Sequence, residues 1–343
     1  MLPCKSLLEI KKNFPCKGLL PLLNAVDEHN GMSAATFEAP PASVLSEYIE
    51  FYGGEEMNLT NYLGVYVPRI HFLPIDTIEI HLCYHDTLYK ICDRSQSSNF
   101  SSLVMGGRNT HNVIYMDIPR KFNKQIHVKF KAGGFYRLFG IPESELRNTF
   151  FTIEEIFGPN GRNLEDRLNN SVSLKERIEI LDRYFIKKLA TTRLQRTRER
   201  TDGALKLIEK YGGKIHISQL AKELNISKRT LEWQFSKHVG LSPKEYAINV
   251  RFKNLLNNLV VASSVNWNES AYTRGYFDQS HLIDEFKTAT GYSPELFMRE
   301  KGKTIFKFRS GLFITQPPDT SRYLTYHTIK QAYEKAINNS EWW

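Results

Sequence analysis

One pattern occurs twice near the C-terminal end, and it limits what this chain can fold into more than any other feature. Phe235-x4-Gly240-x-Ser242-Pro243 returns as Phe286-x4-Gly291-x-Ser293-Pro294, displaced by 51 residues at each position. Upstream, Ala221 and Ala271 lie on short apolar helical stretches 50 residues apart. Each alanine precedes a tight break, Asn225-Ile226-Ser227 in the first copy and Gly275-Tyr276-Phe277-Asp278 in the second, so the second break is one residue longer. A short helix, a turn and a second helix, used twice, is how a chain sets two recognition helices on one DNA duplex.

The local chemistry agrees with that plan in both copies. In the first, Ile217 to Leu224 is the expected supporting helix, with Leu220, Ala221 and Leu224 inward. Alanine matters because the second helix crosses tightly over it. Asn225 tolerates a left-handed backbone at the turn, and Ser227 caps the helix Lys228 to His238. Leu231 and Phe235 point inward at i, i+4, which leaves Arg229, Glu232, Trp233 and Ser236 outward. In the second, Trp267 to Arg274 supports and Gly275 permits the turn. Asp278 caps a helix from Gln279 to Thr288, Leu282 and Phe286 fill the core, and Gln279, Ser280, Ile283 and Asp284 face out. Gln pairs with adenine and Arg with guanine through two polar atoms each. Between the copies, Ser242-Pro243-Lys244-Glu245 is a capping box with proline at the first helical position. The helix it opens continues to about Leu259. At about 1.5 Å per residue it spans roughly 27 Å, close to the ~34 Å between successive major-groove windows; a bend in the DNA closes the difference.

Charge points the same way. The net charge is +9 and the pI about 9.2, a balance suited to a polyanion: nucleic acid first, an anionic membrane second. Between Arg196 and Lys303, 18 Lys and Arg face 12 Asp and Glu, so +6 of the excess lies in the repeat region. No apolar run approaches the roughly eighteen residues of a membrane span. Leu7-Leu8 runs straight into Glu9 and Lys11-Lys12, which is no secretory pattern. Cys4, Cys16, Cys83 and Cys92 contain no C-x-x-C pair, and a chain of 343 residues needs no disulfide framework. A reducing cytoplasm is the simplest setting.

Residues 1–31 read as an extension, with Met32 either an alternative start or simply the end of an N-terminal arm. From about Tyr62 to Phe130 short β-type runs alternate with Pro, Gly, Asp, Asn and Ser clusters, which predicts a small barrel or sandwich. Residues 163–190 return to helix. Leu174, Ile178, Leu181, Phe185 and Leu189 form a stripe that serves either as a dimer seam or as packing against the barrel. The basic stretch Arg193 to Arg200 reads as a linker. The expected fold is therefore α+β with two domains. The first is a small, cupin-like β-barrel or sandwich with helices; the second is an all-α domain of two helix-turn-helix units joined by a long helix. The expected division is extension 1–31, β-rich regulatory domain 32–160, helical connector or dimerisation segment 161–192, linker 193–200, DNA-binding domain 201–300 and tail 301–343.

These residues carry a resemblance. Ile217 to Met298 resembles the DNA-binding domain of the AraC/XylS family of bacterial transcription regulators. Its strongest part is Gly275-Tyr276-Phe277-Asp278-Gln279-Ser280-His281-Leu282-Ile283-x2-Phe286-Lys287, followed by Thr290-Gly291-Tyr292-Ser293-Pro294. The first unit fits too, from Leu231-x3-Phe235 through Gly240-Leu241-Ser242-Pro243-Lys244 to Arg251. The resemblance implies sequence-specific binding through two units, usually to activate transcription. It puts base reading on Arg229, Glu232 and Trp233 and on Gln279, Ser280 and Asp284. The acids Glu232 and Asp284 depart from the basic or amide residues frequent there; an acid accepts from cytosine N4 but repels phosphate. Phosphate contacts then fall to Lys228, Thr230, Arg251, His281 and Lys287, with the helix N-termini. A second resemblance, through Val104-Met105-Gly106-Gly107-Arg108, 128–134 and 162–168, is to an uncharacterised β-rich sensor region of some family members. It implies regulation and names no ligand.

The chain is thus expected to be a cytoplasmic DNA-binding regulator and not an enzyme, with no cofactor and no bound metal. Its partners are double-stranded DNA and an unknown small-molecule or protein effector; RNA polymerase and a second copy of the chain are compatible with the reading. Phe130, Phe135 and Tyr136 either line a ligand pocket or fill a core. His81, Cys83 and His85 alternate on one strand face and pose the metal question; they alone support the rival reading, a metal-dependent cupin-like enzyme with a DNA-binding appendage. Cys83 and Cys92 could pair as a redox switch, though nothing nearby lowers a thiol pKa.

Overall fold

The computed structural model describes residues 20–27, 32–58, 70–72, 78–84, 89–93, 96–100, 102–105, 114–117, 122–147, 149–192, 199–261, 264–290, 293–308 and 311–315. The strands are β1 (Leu20–Asp27), β2 (Met32–Ala39), β3 (Ile49–Asn58), β4 (Ile70–Phe72), β5 (Glu79–Cys83), β6 (Tyr89–Asp93) and β7 (Gln96–Phe100). They continue with β8 (Ser102–Met105), β9 (Ile114–Asp117), β10 (Phe122–Phe130), β11 (Phe150–Thr152), β12 (Ile305–Phe308) and β13 (Gly311–Thr315). The helices are α1 (Gly134–Phe139), α2 (Ile153–Phe157), α3 (Pro159–Asn169), α4 (Leu174–Thr191), α5 (Glu199–Lys210) and α6 (Ile217–Glu223). After them come α7 (Lys228–Val239), α8 (Pro243–Val261), α9 (Trp267–Thr273), α10 (Gln279–Thr290) and α11 (Pro294–Thr304).

Two antiparallel sheets form from these strands. One runs β1-β2-β3-β10-β5-β8-β11, the other β12-β13-β4-β9-β6-β7. Both are open, so the closed cupin-like barrel expected from the strand spacing is not found among the described residues. The physical reason lies in where the first sheet buries its apolar face. Alternation along β5 and β10 sends Ile80, Leu82, Ile126, Val128 and Phe130 to one side. There they meet Leu164 and Leu168 of α3 and Leu181, Phe185 and Leu189 of α4 in a single core. Helices cover the face, and the sheet need not curl on itself. The α4 stripe is therefore packing rather than an open seam. Asp182 pins it in place: its Oδ1 accepts the Tyr52 hydroxyl and the Ala42 N–H, each at 2.9 Å.

Two segments set apart in sequence join these sheets. Leu20–Asp27, inside the supposed extension, pairs with β2, and the tail strand β13 pairs with β4, Phe313 against Phe72.

The helical region has two cores that share α8. Tyr246, Ala247 and Val250 pack with Ala204, Ile208, Leu220, Leu231 and Phe235. One turn on, Phe252, Leu255, Leu256 and Leu259 pack with Ala271, Tyr276, Leu282, Phe286 and Phe297. The long helix thus changes partner at Arg251.

Candidate nucleic-acid interface

Local chemistry builds each recognition helix in turn. Asn225 takes the left-handed conformation at φ 52° and Gly275 at φ 74°, and these residues turn the chain. The Ser227 hydroxyl accepts the Thr230 N–H at 3.0 Å, and the Asp278 carboxylate accepts the His281 N–H at 2.8 Å. Both bonds satisfy amides that an α-helix start leaves without partners. At the head of α8, the Ser242 N–H donates to Glu245 at 2.8 Å and the Glu245 N–H donates back at 3.2 Å, which completes the capping box.

The outward positions divide in an informative way. On α7, Lys228, Arg229, Glu232 and Ser236 are exposed, and Trp233 is 59% exposed. Lys237 lies 5.2 Å from the Trp233 ring. Lys228 and Glu232 form an exposed i, i+4 ion pair at 3.7 Å; such a pair is worth at most about 1 kcal/mol. Thr230 spends its hydroxyl on the cap, 2.8 Å from Ser227 Oγ. On α10, Ser280, His281, Asp284 and Lys287 are exposed and Gln279 is half-buried.

Arg251 behaves differently from the phosphate ligand expected of it. Its guanidinium donates to Glu285 at 2.8 Å and to the Gly275 carbonyl at 3.2 Å, and stacks 4.3 Å from the Tyr276 ring. Arg251 and Glu285 are only 11% and 12% exposed. The arginine ties the strut to the second turn, a partnership that spacing in the sequence gave no means to see. A second residue missed in sequence is Phe277, which is 92% exposed beside the cap of α10. The signal was present: Phe277 is the residue by which the second break exceeds the first. Tyr272, on the helix before it, is 88% exposed.

In the N-terminal region the three aromatics proposed as a pocket part company. Phe130 and Phe135 are fully buried, 5.3 Å apart edge to face, and Phe185 stacks edge-on to Phe130 at 5.7 Å. They fill the core. Tyr136 turns instead toward α7, with its ring 4.6 Å from His238.

The other face of the first sheet is polar and buried, and it carries Glu79, His81, Gln125 and Lys129. Glu79 lies 3.3 Å from His81 Nε2 and 3.8 Å from Lys129 Nζ. Burial alone would raise the Glu79 carboxyl, but the His81 hydrogen bond and the Lys129 charge outweigh it and hold it below the usual range. Burial pushes the His127 imidazole down to about 3, against the pull of Glu79. Gly53 lies opposite His127 in the β3–β10 pairing, and a Cβ there would come within 2.3 Å of His127 Nε2; glycine is what lets the ring lie across the strand. His81 and Cys83 share this face, as alternation predicts, while His85 lies outside the described residues. Among the described residues no three His, Cys, Asp or Glu side chains are grouped to hold a metal ion. The Cys83 thiol is buried.

Comparison with known proteins adds a family for the helical region. Residues 220–300 match the helix-turn-helix domain family. The Msm operon regulatory protein of Streptococcus mutans is 33% identical over 93 residues; the chain spans 32% of that relative's length, and the match takes in 26% of this chain. Among solved structures, ToxT from Vibrio cholerae is 11% identical with a TM-score of 0.38, covering 69% of this chain and 95% of its own. The C-terminal domain of AraT, a response regulator from Geobacillus stearothermophilus, is 23% identical with a TM-score of 0.29, covering 31% and 88%. Among the described residues no helix is long and apolar enough to cross a membrane.

Proposed function

From the premise that the C-terminal region is a helix-turn-helix domain of the AraC type, we propose that this chain is a sequence-specific DNA-binding transcription regulator of a bacterial cytoplasm. The observation that carries the reading is the pair of capped helices, α7 and α10, held on one stiff helix with their outward side chains exposed. At 19 residues the strut is about 28 Å long, on the scale of a groove repeat. Arg229, Glu232, Trp233, Gln279, Ser280 and Asp284 read bases. Lys228, His281 and Lys287 meet phosphate, with Thr230 through its capped amide end. Residues 201–300 are the DNA-binding domain and 32–160 the regulatory one, with the helices of 161–192 packed on its sheet.

An effector, small molecule or protein, acts by binding one arrangement of the N-terminal region better than another. What supports this is the buried polar face of Glu79, His81 and Lys129: interior charges are weak contributors to stability, and such groups gather where function needs them. A second copy of the chain and RNA polymerase complete the partners proposed.

Selection of bound fragments from random DNA tests the reading. Arg229→Ala is expected to relax preference at particular bases by about 1–3 kcal/mol. Lys228→Ala is expected to weaken all sequences alike and reduce the salt slope by about one. Binding with no sequence preference over random DNA would overturn it.

A further inference from the structure

Among the described residues, the N-terminal region meets the first helix-turn-helix unit at a joint that is mechanically special, while the second unit leads through α11 into β12 and β13, of which β13 pairs with β4. Arg147 follows the 3-10 turn Glu143–Glu145, and its guanidinium donates to Glu245 Oε1. Glu245 is the carboxylate that closes the capping box at the head of α8 through its other oxygen. Burial raises its carboxyl, but the Ser242 and Arg147 hydrogen bonds outweigh burial and hold it ionised below the usual range. Beside this pair, His238 at the end of α7 stacks on Tyr136 and lies 2.9 Å from the Thr201 hydroxyl. Between α7 and α8 stands Gly240 at φ 73°. A Cβ there would meet the Glu143 carbonyl oxygen at 2.9 Å. The backbone of one region therefore abuts the joint of the other.

These contacts all fall on the joint between the first reader and the strut. Lys228 and Arg229 occupy the opposite end of α7, about 16 Å away at 1.5 Å per residue, and they stay exposed. The seam therefore leaves the reading tip open. A contact at this joint acts on orientation: a small rotation of α8 about its head moves the far unit most, because the second core rides on the distal half of the helix.

We infer that Arg147 is a positioning residue for DNA recognition. By holding Glu245 it fixes the head of the strut against the N-terminal region, and so sets the separation and rotation at which the two recognition helices meet a duplex. This inference rests on the DNA-binding reading above. It also gives the N-terminal region a route to act on DNA: whatever shifts the 143–147 segment shifts the strut.

The test uses the full chain and three DNA probes taken from the selected site: the whole site, one half of it, and whole sites with one or two base pairs added or removed between the halves. Arg147→Gln is expected to lower affinity for the whole site about tenfold, which is about 1.4 kcal/mol. It should leave the half-site within about twofold and flatten the dependence on spacing. Arg147→Lys, which keeps the charge, is expected to recover most of the spacing preference. An unchanged spacing profile in Arg147→Gln overturns the inference, as does an equal loss on whole and half sites together with a lower melting temperature. If the unaltered protein itself shows no preferred sequence, the DNA-binding reading falls first, and this inference falls with it.

Discussion

Lys228, Arg229 and Lys237 on the first recognition helix face a single acid, Glu232. The second helix carries Lys287 against Asp284 and Glu285, behind an aspartate cap. Both helices are twelve residues long, and each buries a Leu and a Phe at the repeated positions. The frame was repeated and the equipment was not. A basic tip draws phosphate strongly and without regard to sequence, whereas amides and acids discriminate among bases and add little net attraction. We propose that the first unit supplies most of the attraction, with Arg229 also reading bases, and that the second acts mainly by discriminating among them. The seam with the N-terminal region sharpens the contrast, since it holds the head of the anchoring unit, whereas the selecting unit meets the N-terminal strands through α11, β12 and β13.

The sharpest way to break this comparison is to empty each core separately. Phe235→Ala and Phe286→Ala each remove a fully buried ring, and each is expected to cost about 3–5 kcal/mol, measured by chemical denaturation. Their effects on DNA should differ. Loss of the first unit should abolish detectable binding, and loss of the second should leave weak binding with a shortened footprint. Equal residual binding in both variants would mean that the charge difference decides nothing.

Next in size is the bridge between strut and second unit. Arg251→Met takes from Glu285 its nearest cation in a nearly buried site, leaving His281 at 3.9 Å, and breaking such a pair costs about 3 kcal/mol. The loss should appear in the second unit, as faster hydrogen exchange around Tyr276 and Leu282. A phosphate ligand would behave otherwise: its removal would lower the salt slope by about one and spare stability.

A smaller and graded effect comes from acid. The folded His127 pKa is depressed to about 3, so the native state excludes a proton that the unfolded chain accepts below about 6.5. The unfolded state binds more protons throughout that window. Stability is therefore present above about pH 6.5 and lost as pH falls toward 3, by up to about 1.4 kcal/mol per unit from this residue. Glu79, also held low, adds a loss in the same direction once pH drops below the ordinary carboxylate range. Thermal melts of the protein and of His127→Gln between pH 7 and 4.5 should diverge, with the variant flatter. The transition affected should be that of the N-terminal region, after which both units stand free of the seam and become a fairer comparison of their own binding.

What could be seen in the sequence was what local chemistry fixes. Ser227, Asp278 and the Ser242–Glu245 box act within three residues of themselves, and Asn225 and Gly275 act on their own backbone. Spacing alone therefore located the helices and turns to within a residue or two. Arg251 escaped because its partner lies 34 residues away, and an exposed arginine and a paired one look alike in a string of letters. The barrel failed for a related reason. Strand periodicity gives the faces of a sheet but not its edges, and it cannot reveal that α3 and α4 cover the apolar side. Tyr136 was grouped with Phe130 and Phe135 by type, and only the docking of α7 separates it from them.

The finest difference between the units is the added residue Phe277, and it offers the smallest prediction. Its ring is 92% exposed, immediately ahead of the cap of α10, so removing it should leave the melting temperature unchanged. The first unit passes directly from Ile226 to Ser227 and has nothing in this place. An apolar ring beside a groove-entering helix end can meet the methyl of thymine. Phe277→Ser is then expected to cost under about 1 kcal/mol, confined to one position at the edge of the second half-site. Replacing thymine by deoxyuridine at that position should cost the unaltered protein a similar amount and the variant nothing, which is the signature of two changes that remove one contact. If the two losses add, the ring does not meet that methyl, and the extra residue serves the turn alone.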